Sequence, residues 1–281
     1  MRYCDLHTHT NFSDGSDSPY ELCKKAKKIG LCALAITDHN TVKGIFEFEK
    51  SAKEFDLDYI LGSELTTEYK HNEVHVLCLG INENNAHSVA DFTESVKENK
   101  RKSNLILAEN LRKAGYDVYL ENLEERFGKN INRAHFARAL LEIGAVKEIS
   151  EAFDGILKEG NGFYVPNPRP DMIKTVSLIA KWGCTPVLAH PLLNFTKEEL
   201  EKALPQLKKA GLIGMEVYYS KFSSEQREYL RYLCEKYDLI PSGGSDYHGE
   251  NKSEADLGSA SVPYSCCEML KCYVEMTKNL G

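Results

Sequence analysis

Five short motifs rich in histidine and carboxylate punctuate the chain, and each closes a short apolar run. They are Asp5-Leu6-His7-Thr8-His9 with Ser13-Asp14-Gly15, then Thr37-Asp38-His39, then Gly62-Ser63-Glu64 with His75 after it, then Ala189-His190-Pro191, and last Gly244-Ser245-Asp246-Tyr247-His248. Short apolar runs that alternate with helix-period segments are the pattern of a parallel α/β fold. When such a sheet closes into a barrel, the C-terminal ends of its strands share one face, and sites assemble there. The punctuation therefore restricts the fold to one that gathers strand ends. It predicts that His7, His9, Asp14, His39, Glu64, His75, His190, Asp246 and His248 meet at one mouth.

Seven strands are expected, at Tyr3–Leu6, Cys32–Ile36, Tyr59–Leu61, Val74–Ile81, Thr185–Ala189, Ile213–Tyr218 and Leu239–Ser242. Between the first two, Ser18 is a candidate N-cap, Pro19 suits the first helical position, and Leu22, Ala26 and Ile29 form one stripe before Gly30. Ile45, Phe48, Ala52 and Phe55 repeat the spacing. The alternation breaks from about residue 84 to 170. That stretch carries helical stripes at Val89, Phe92 and Val96, at Leu107, Leu111 and Ala114, and at Phe136, Leu140 and Ile143. Connections between strand and helix are normally a few residues. The expected organisation is a barrel from residues 1–84 and 171–281, with a helical insertion at 85–170 contributing to the substrate site.

Two histidines two apart on an extended segment point to the same face, so His7 and His9 bring two imidazoles together. Five or six imidazoles with three or four carboxylates exceed what one metal ion needs. The set suits zinc, manganese or iron, and no thiolate accompanies it. Ions about 3.5–4 Å apart can clamp a phosphoryl group and supply hydroxide at neutral pH. Glu64 is the candidate carboxylate to bridge them. His75 alternates with Val74 and Val76 and so faces away from them. Asp38 is read as a helix N-cap or as an acceptor for a ligand histidine. His71 and His87 lack such a setting and are read as surface residues.

The chain has 281 residues, with 35 basic against 42 acidic side chains and a net charge of −7. That balance argues against charge-driven binding of duplex nucleic acid. It leaves room for a small phosphorylated substrate, because divalent ions reverse the local field. The nine cysteines contain no C-x-x-C pair, and no apolar run is long enough to span a bilayer. The cytoplasm is the expected compartment, with no membrane partner.

Together these motifs resemble the polymerase and histidinol phosphatase (PHP) superfamily of metal-dependent phosphoesterases. The resemblance implies a distorted (β/α)7 TIM-like barrel and two to three divalent ions, manganese, iron or zinc. It groups His7, His9, Glu64 and Asp246 on one ion, Glu64, His75 and His190 on a second, and Asp14, His39 and His248 on a third. The segments Asn132-Arg133-Ala134-His135-Phe136-Ala137 and Tyr164-Val165-Pro166 are similar to the branch acting on nucleoside 3′,5′-bisphosphates and short RNA 5′ ends. That likeness implies that Arg133 and His135 hold the substrate phosphate. The expected activity is hydrolysis of a phosphomonoester of a small nucleotide or short oligonucleotide by a metal-activated hydroxide, with Asp246, His39, Arg133 and His135 carrying it. His135 or a bound water would protonate the leaving alkoxide. The alternatives are a histidinol-phosphate phosphatase and a non-catalytic, metal-stabilised interaction module.

Overall fold

The computed structural model of the chain describes residues 2–128, 131–252 and 255–278. Two compact units divide it: Met1–Glu94 with Pro170–Gly281, and Ser95–Arg169.

The first unit is built on one sheet. Its strands are β1 (Tyr3–Thr8), β2 (Ala33–Ile36), β3 (Asp58–Tyr69), β4 (Asn72–Leu79), β5 (Thr185–Leu188), β6 (Gly214–Tyr219), β7 (Ile240–Gly244) and β8 (Val262–Pro263), in the spatial order β7-β6-β5-β4-β3-β2-β1-β8. Beyond β7 the chain returns to β1. Thr8 bridges Tyr247 in parallel, His9 N donates to the Tyr247 carbonyl at 2.9 Å, and Asp246 N donates to the His7 carbonyl at 3.0 Å. The barrel is thus nearly closed at the end where the histidine motifs lie. Gly244 permits this closure, since a Cβ there would fall 2.3 Å from the Cβ of His7.

The sheet is not all parallel. β3 runs through Glu64 to Tyr69 and turns back into β4 as an antiparallel hairpin, paired from Gly62 with Leu79 to Tyr69 with Asn72. Lys70 and His71 form its two-residue turn with φ of 49° and 69°, the left-handed pair of a type I′ turn. Because β4 also pairs antiparallel with β5, His75 reaches the barrel mouth from within a strand rather than from a strand's C-terminal end. The eighth strand, antiparallel to β1, is two residues long and carries no periodic signal.

Alternation along the strands buries both faces of the sheet. Leu34, Ile36, Val76, Cys78 and Leu188 pack under the outer helices, while Ala33, Ala35, Leu77, Leu79 and Val187 pack with Cys266, Cys267 and Leu270 of the last helix, Tyr264–Lys278. The first helix is Pro19–Ile29, with Ser18 and Glu21 in a reciprocal capping box and Gly30 closing it at φ 82°. Leu22 and Ala26 are buried as the stripe predicts, but Ile29 is exposed. The helix ends there, and Leu31 turns inward in its place, its amide donating to the Ala26 carbonyl. The second helix, Ile45–Glu54, starts at Gly44, so Asp38 caps nothing.

The second unit is helical and holds no strand among its described residues. Its core joins Leu107 and Leu111 from the helix Ala86–Lys113, Leu120 and Leu123 from Leu120–Phe127, and Phe136 and Leu140 from Arg133–Glu142. Ile143 is exposed at the end of that last helix rather than buried with its stripe. No helix among the described residues is long and apolar enough to cross a membrane.

Candidate metal centre

Nine side chains from six stretches of the first unit converge at the barrel mouth. Glu64 is at the middle of them and fully buried. Its Oε1 is 2.9 Å from His75 Nδ1 and 3.0 Å from His190 Nε2. Its Oε2 is 3.2 Å from His7 Nε2, 3.3 Å from His9 Nε2 and 3.1 Å from His39 Nδ1. Asp246 Oδ1 adds a second carboxylate, 3.1 Å from His9 Nε2 and 3.6 Å from His7 Nε2. On the outer side, Asp14 is 3.4 Å from His248 Nε2, 3.8 Å from His9 Nδ1 and 3.9 Å from His39 Nε2.

Three groups therefore have ligand atoms close enough to share an ion. They are His7, His9, Glu64 and Asp246; His9, Asp14, His39 and His248; and His39, Glu64 and His75. The last differs from the trio expected from the resemblance. Here His39 lies with Glu64 and His75, while His190 approaches the same Glu64 oxygen as His75.

Many of these approaches are not hydrogen bonds. His7 Nε2, both nitrogens of His9, Asp14 Oδ1, Glu64 Oε2 and His75 Nδ1 are buried without a hydrogen-bond partner. Buried polar atoms are normally paired. Here the ligand atoms of each group lie within 4.8 Å of one another with several of them unpaired, which fits lone pairs available to cations. The rings of His9 and His248 stack at 4.1 Å between centroids, and those of His9 and His39 at 4.5 Å. Protons on all of them would repel at that spacing, whereas shared divalent ions would not need them.

Outer partners fix what several of these rings present, the usual support of a metal-binding histidine. His7 Nδ1 lies 2.9 Å from Glu216 Oε1, His75 Nε2 lies 3.1 Å from Glu73, His190 Nδ1 lies 3.1 Å from Asn194 Oδ1, and His248 Nδ1 lies 2.8 Å from the Asp246 carbonyl. Each leaves the opposite nitrogen facing a carboxylate of the cluster. Asp246 is held likewise. Its Oδ2 accepts from Tyr219 Oη and Lys252 Nζ, each at 3.0 Å, so that Oδ1 turns inward. Asp246 has φ 58° and His190 φ 26°, unusual backbone for residues with a Cβ and typical of functional sites.

Two further buried carboxylates brace loops of the site. Asp38 accepts from Thr10 N, Thr10 Oγ1 and Ser13 Oγ at 2.6–2.7 Å. It fastens the loop that carries Asp14, not a ligand histidine. Asp5, fully buried, accepts from Ser245 N at 2.9 Å, Ser245 Oγ at 2.5 Å and Gly258 N at 2.8 Å. Glu216 had a legible signal, a single carboxylate within the apolar run Gly214-Met215-Glu216-Val217. Tyr219 and Lys252 had none, since their role depends on how the strands align.

Electrostatics follow from this crowding. Burial alone would depress the His9 and His75 rings. The carboxylates of Asp246 and Glu64 instead lift His9 to about 9, and Glu64 with Glu73 lifts His75 to about 10. Burial would raise Glu64, but the surrounding imidazoles hold it well below the usual carboxylate range. Burial, with the neighbouring His9 and His75, holds the His39 ring down to about 3, so in the absence of metal protons take the place of cations at His9 and His75 and not at His39.

Arg133 and His135 belong to the second unit. They open the helix Arg133–Glu142, capped by Asn132, whose side chain accepts from Ala134 N and His135 N while His135 Nδ1 accepts from Asn132 N at 3.1 Å. The Arg133 guanidinium lies 4.4 Å from the centre of the Tyr164 ring, and the half-buried His135 ring 4.8 Å from that of Phe127. His71 and His87 are exposed, as expected.

Comparison with known proteins gives this geometry a family. The PHP domain model matches residues 5–165. A 5′-3′ exoribonuclease of Haemophilus influenzae is 32% identical over 246 residues, covering 87% of this chain and 89% of the relative. A 3′,5′-nucleoside bisphosphate phosphatase of Chromobacterium violaceum is 28% identical over 271 residues, covering 95% and 94%. The crystal structure of a candidate metal-dependent phosphoesterase from Bifidobacterium adolescentis superposes with a TM-score of 0.77 at 27% identity, covering 97% of this chain and 96% of that one. The chain belongs to the PHP family, and it is a metal-dependent phosphoesterase, a hydrolase of phosphate esters.

Proposed function

We propose that the chain removes phosphate from a small nucleotide, either a nucleoside 3′,5′-bisphosphate or the 5′ end of a short RNA. Of the relatives named above, one is a 3′,5′-nucleoside bisphosphate phosphatase and one a 5′-3′ exoribonuclease. The observation that carries the hydrolytic reading is Glu64, whose two oxygens each face a different set of imidazoles at 2.9–3.3 Å. A carboxylate so placed is suited to bridge two ions.

His7, His9, Glu64 and Asp246 are assigned to one ion, Glu64 and His75 with His190 or His39 to a second, and Asp14, His39 and His248 to a third. Manganese, iron and zinc all accept this nitrogen and oxygen set. Such ions polarise a phosphoryl group and make water nucleophilic at neutral pH. The chain's residues do the rest. Asp246 completes the inner group beside Glu64, and His39 spans from Glu64 to Asp14. Arg133 and His135 are assigned to the substrate phosphate, a planar cationic fork and an imidazole matched to its oxygens.

The test is a side-by-side assay with added manganese. Adenosine 3′,5′-bisphosphate or a 5′-phosphorylated RNA oligomer should be hydrolysed with kcat/KM at least about 100-fold above that for histidinol phosphate, within the range that matched polar contacts achieve. Preference for histidinol phosphate would overturn the substrate assignment. Bound metal without turnover of any ester would overturn the catalytic one.

A further inference from the structure

We propose that Glu216 is the positioning residue for both sides of the Glu64 bridge: it selects the ring nitrogen that His7 offers and holds the backbone from which His190 offers its own. The inference rests on the metal reading above and adds a residue outside the three ligand groups.

Glu216 lies on β6 between Met215 and Val217, and all three are fully buried. A buried carboxylate is tolerated where its oxygens are satisfied, and both of these are. Oε1 accepts from His7 Nδ1 at 2.9 Å, and Oε2 accepts from the His190 backbone amide at 2.6 Å. The first bond places the proton of His7 on Nδ1 and leaves Nε2 aimed at Glu64 Oε2. The second anchors His190, whose φ of 26° and ψ of 57° are strained for a residue with a Cβ. From that backbone His190 directs Nε2 at Glu64 Oε1. One side chain on β6 thereby sets the approach to both oxygens of a residue on β3.

The task requires two acceptors, and only a carboxylate supplies them in this shape. Glutamine fills the same volume with one acceptor and one donor. In Glu216→Gln, either His7 must turn its N–H toward Glu64, which removes a ligand, or the His190 amide faces another donor.

The experiment compares wild type with Glu216→Gln, both stripped of metal and titrated with manganese chloride alone, with circular dichroism to confirm the fold. The variant should bind manganese about 10–100-fold more weakly, the usual effect of losing an outer partner of a ligand histidine. Equal affinity would overturn the proposal. A wild-type protein that binds no manganese would instead overturn the metal reading on which the proposal rests. Nitrogen-15 NMR of the zinc-loaded wild type serves if the variant does not fold. His7 should carry its proton on Nδ1, and a proton on Nε2 would refute the assignment.

Discussion

The Asp246 amide donates to the His7 carbonyl across 3.0 Å, so the end of the seventh strand is stitched to the first strand at two residues of one ligand group. Closing the barrel and assembling the site are the same event here. Residues separated by most of the chain become neighbours because two strand ends exchange hydrogen bonds.

Gly244 tests that coupling. A methyl group there would meet His7 at backbone and Cβ. Gly244→Ala should destabilise the fold by about 1–3 kcal/mol, the usual cost of overpacking, and lower manganese affinity with it. Denaturant unfolding and metal titration on the same preparation measure both. Unchanged values in both would show that closure at this point is not strained.

Glu64→Gln should lose more than one ion's worth of bound metal, because both oxygens are engaged. Turnover should fall by at least the ~10²–10³-fold typical of losing one transition-state contact. Elemental analysis beside a steady-state assay decides it, and loss of a single ion would contradict bridging.

Asp246→Asn should abolish turnover while leaving the far-ultraviolet circular dichroism spectrum intact, since Tyr219 and Lys252 can still reach the amide oxygen. Full activity in that variant would remove Asp246 from the site.

The pH dependence of the metal-free protein follows from the shifted groups. His9 and His75 are raised to about 9 and about 10. Their contribution to stability is complete below the ordinary imidazole value near 6.5 and is lost as pH rises through 9 and 10. Glu64 is lowered, so its contribution is present above about 4.5 and is lost on acidification. Metal-free protein should therefore melt lower at pH 10 than at pH 6. Manganese-loaded protein should lack that alkaline loss, because metal binding strengthens as protons leave its ligands. Thermal melts at the two pH values, with and without chelator, measure the difference. A metal-free protein that melts higher at pH 10 would contradict the ion-pair description.

Arg133→Ala should raise KM for a nucleotide substrate by about 10–100-fold, the equivalent of one charge-assisted hydrogen bond, with the metal content unchanged. An unaltered KM would place the substrate phosphate elsewhere.

What the sequence made legible were the features that depend on local spacing. The ligand motifs end apolar runs, Ser18 with Glu21 announces a helix start, and the break in alternation after Ile81 marks the helical segment. The hairpin that carries His75 was not legible as a reversal, because Lys70-His71 lacks the glycine or asparagine that usually marks such a turn. The supporting shell was hidden for another reason. Tyr219 and Lys252 carry no local signal and meet Asp246 only through strand register and the return of a loop; Glu216 stands out as a carboxylate in an apolar run, but its partners His7 and His190 do not show from spacing. In sequence Asp38 resembles a cap because it precedes a helix, while its partners, Thr10 and Ser13, sit on a loop of the first motif.

Anomalous X-ray scattering from crystals grown with manganese tests the central claim most directly. The account predicts two or three manganese peaks at the barrel mouth, at least two of them in contact with Glu64. A mouth without peaks, or a single peak with Glu64 bound through one oxygen only, would contradict it.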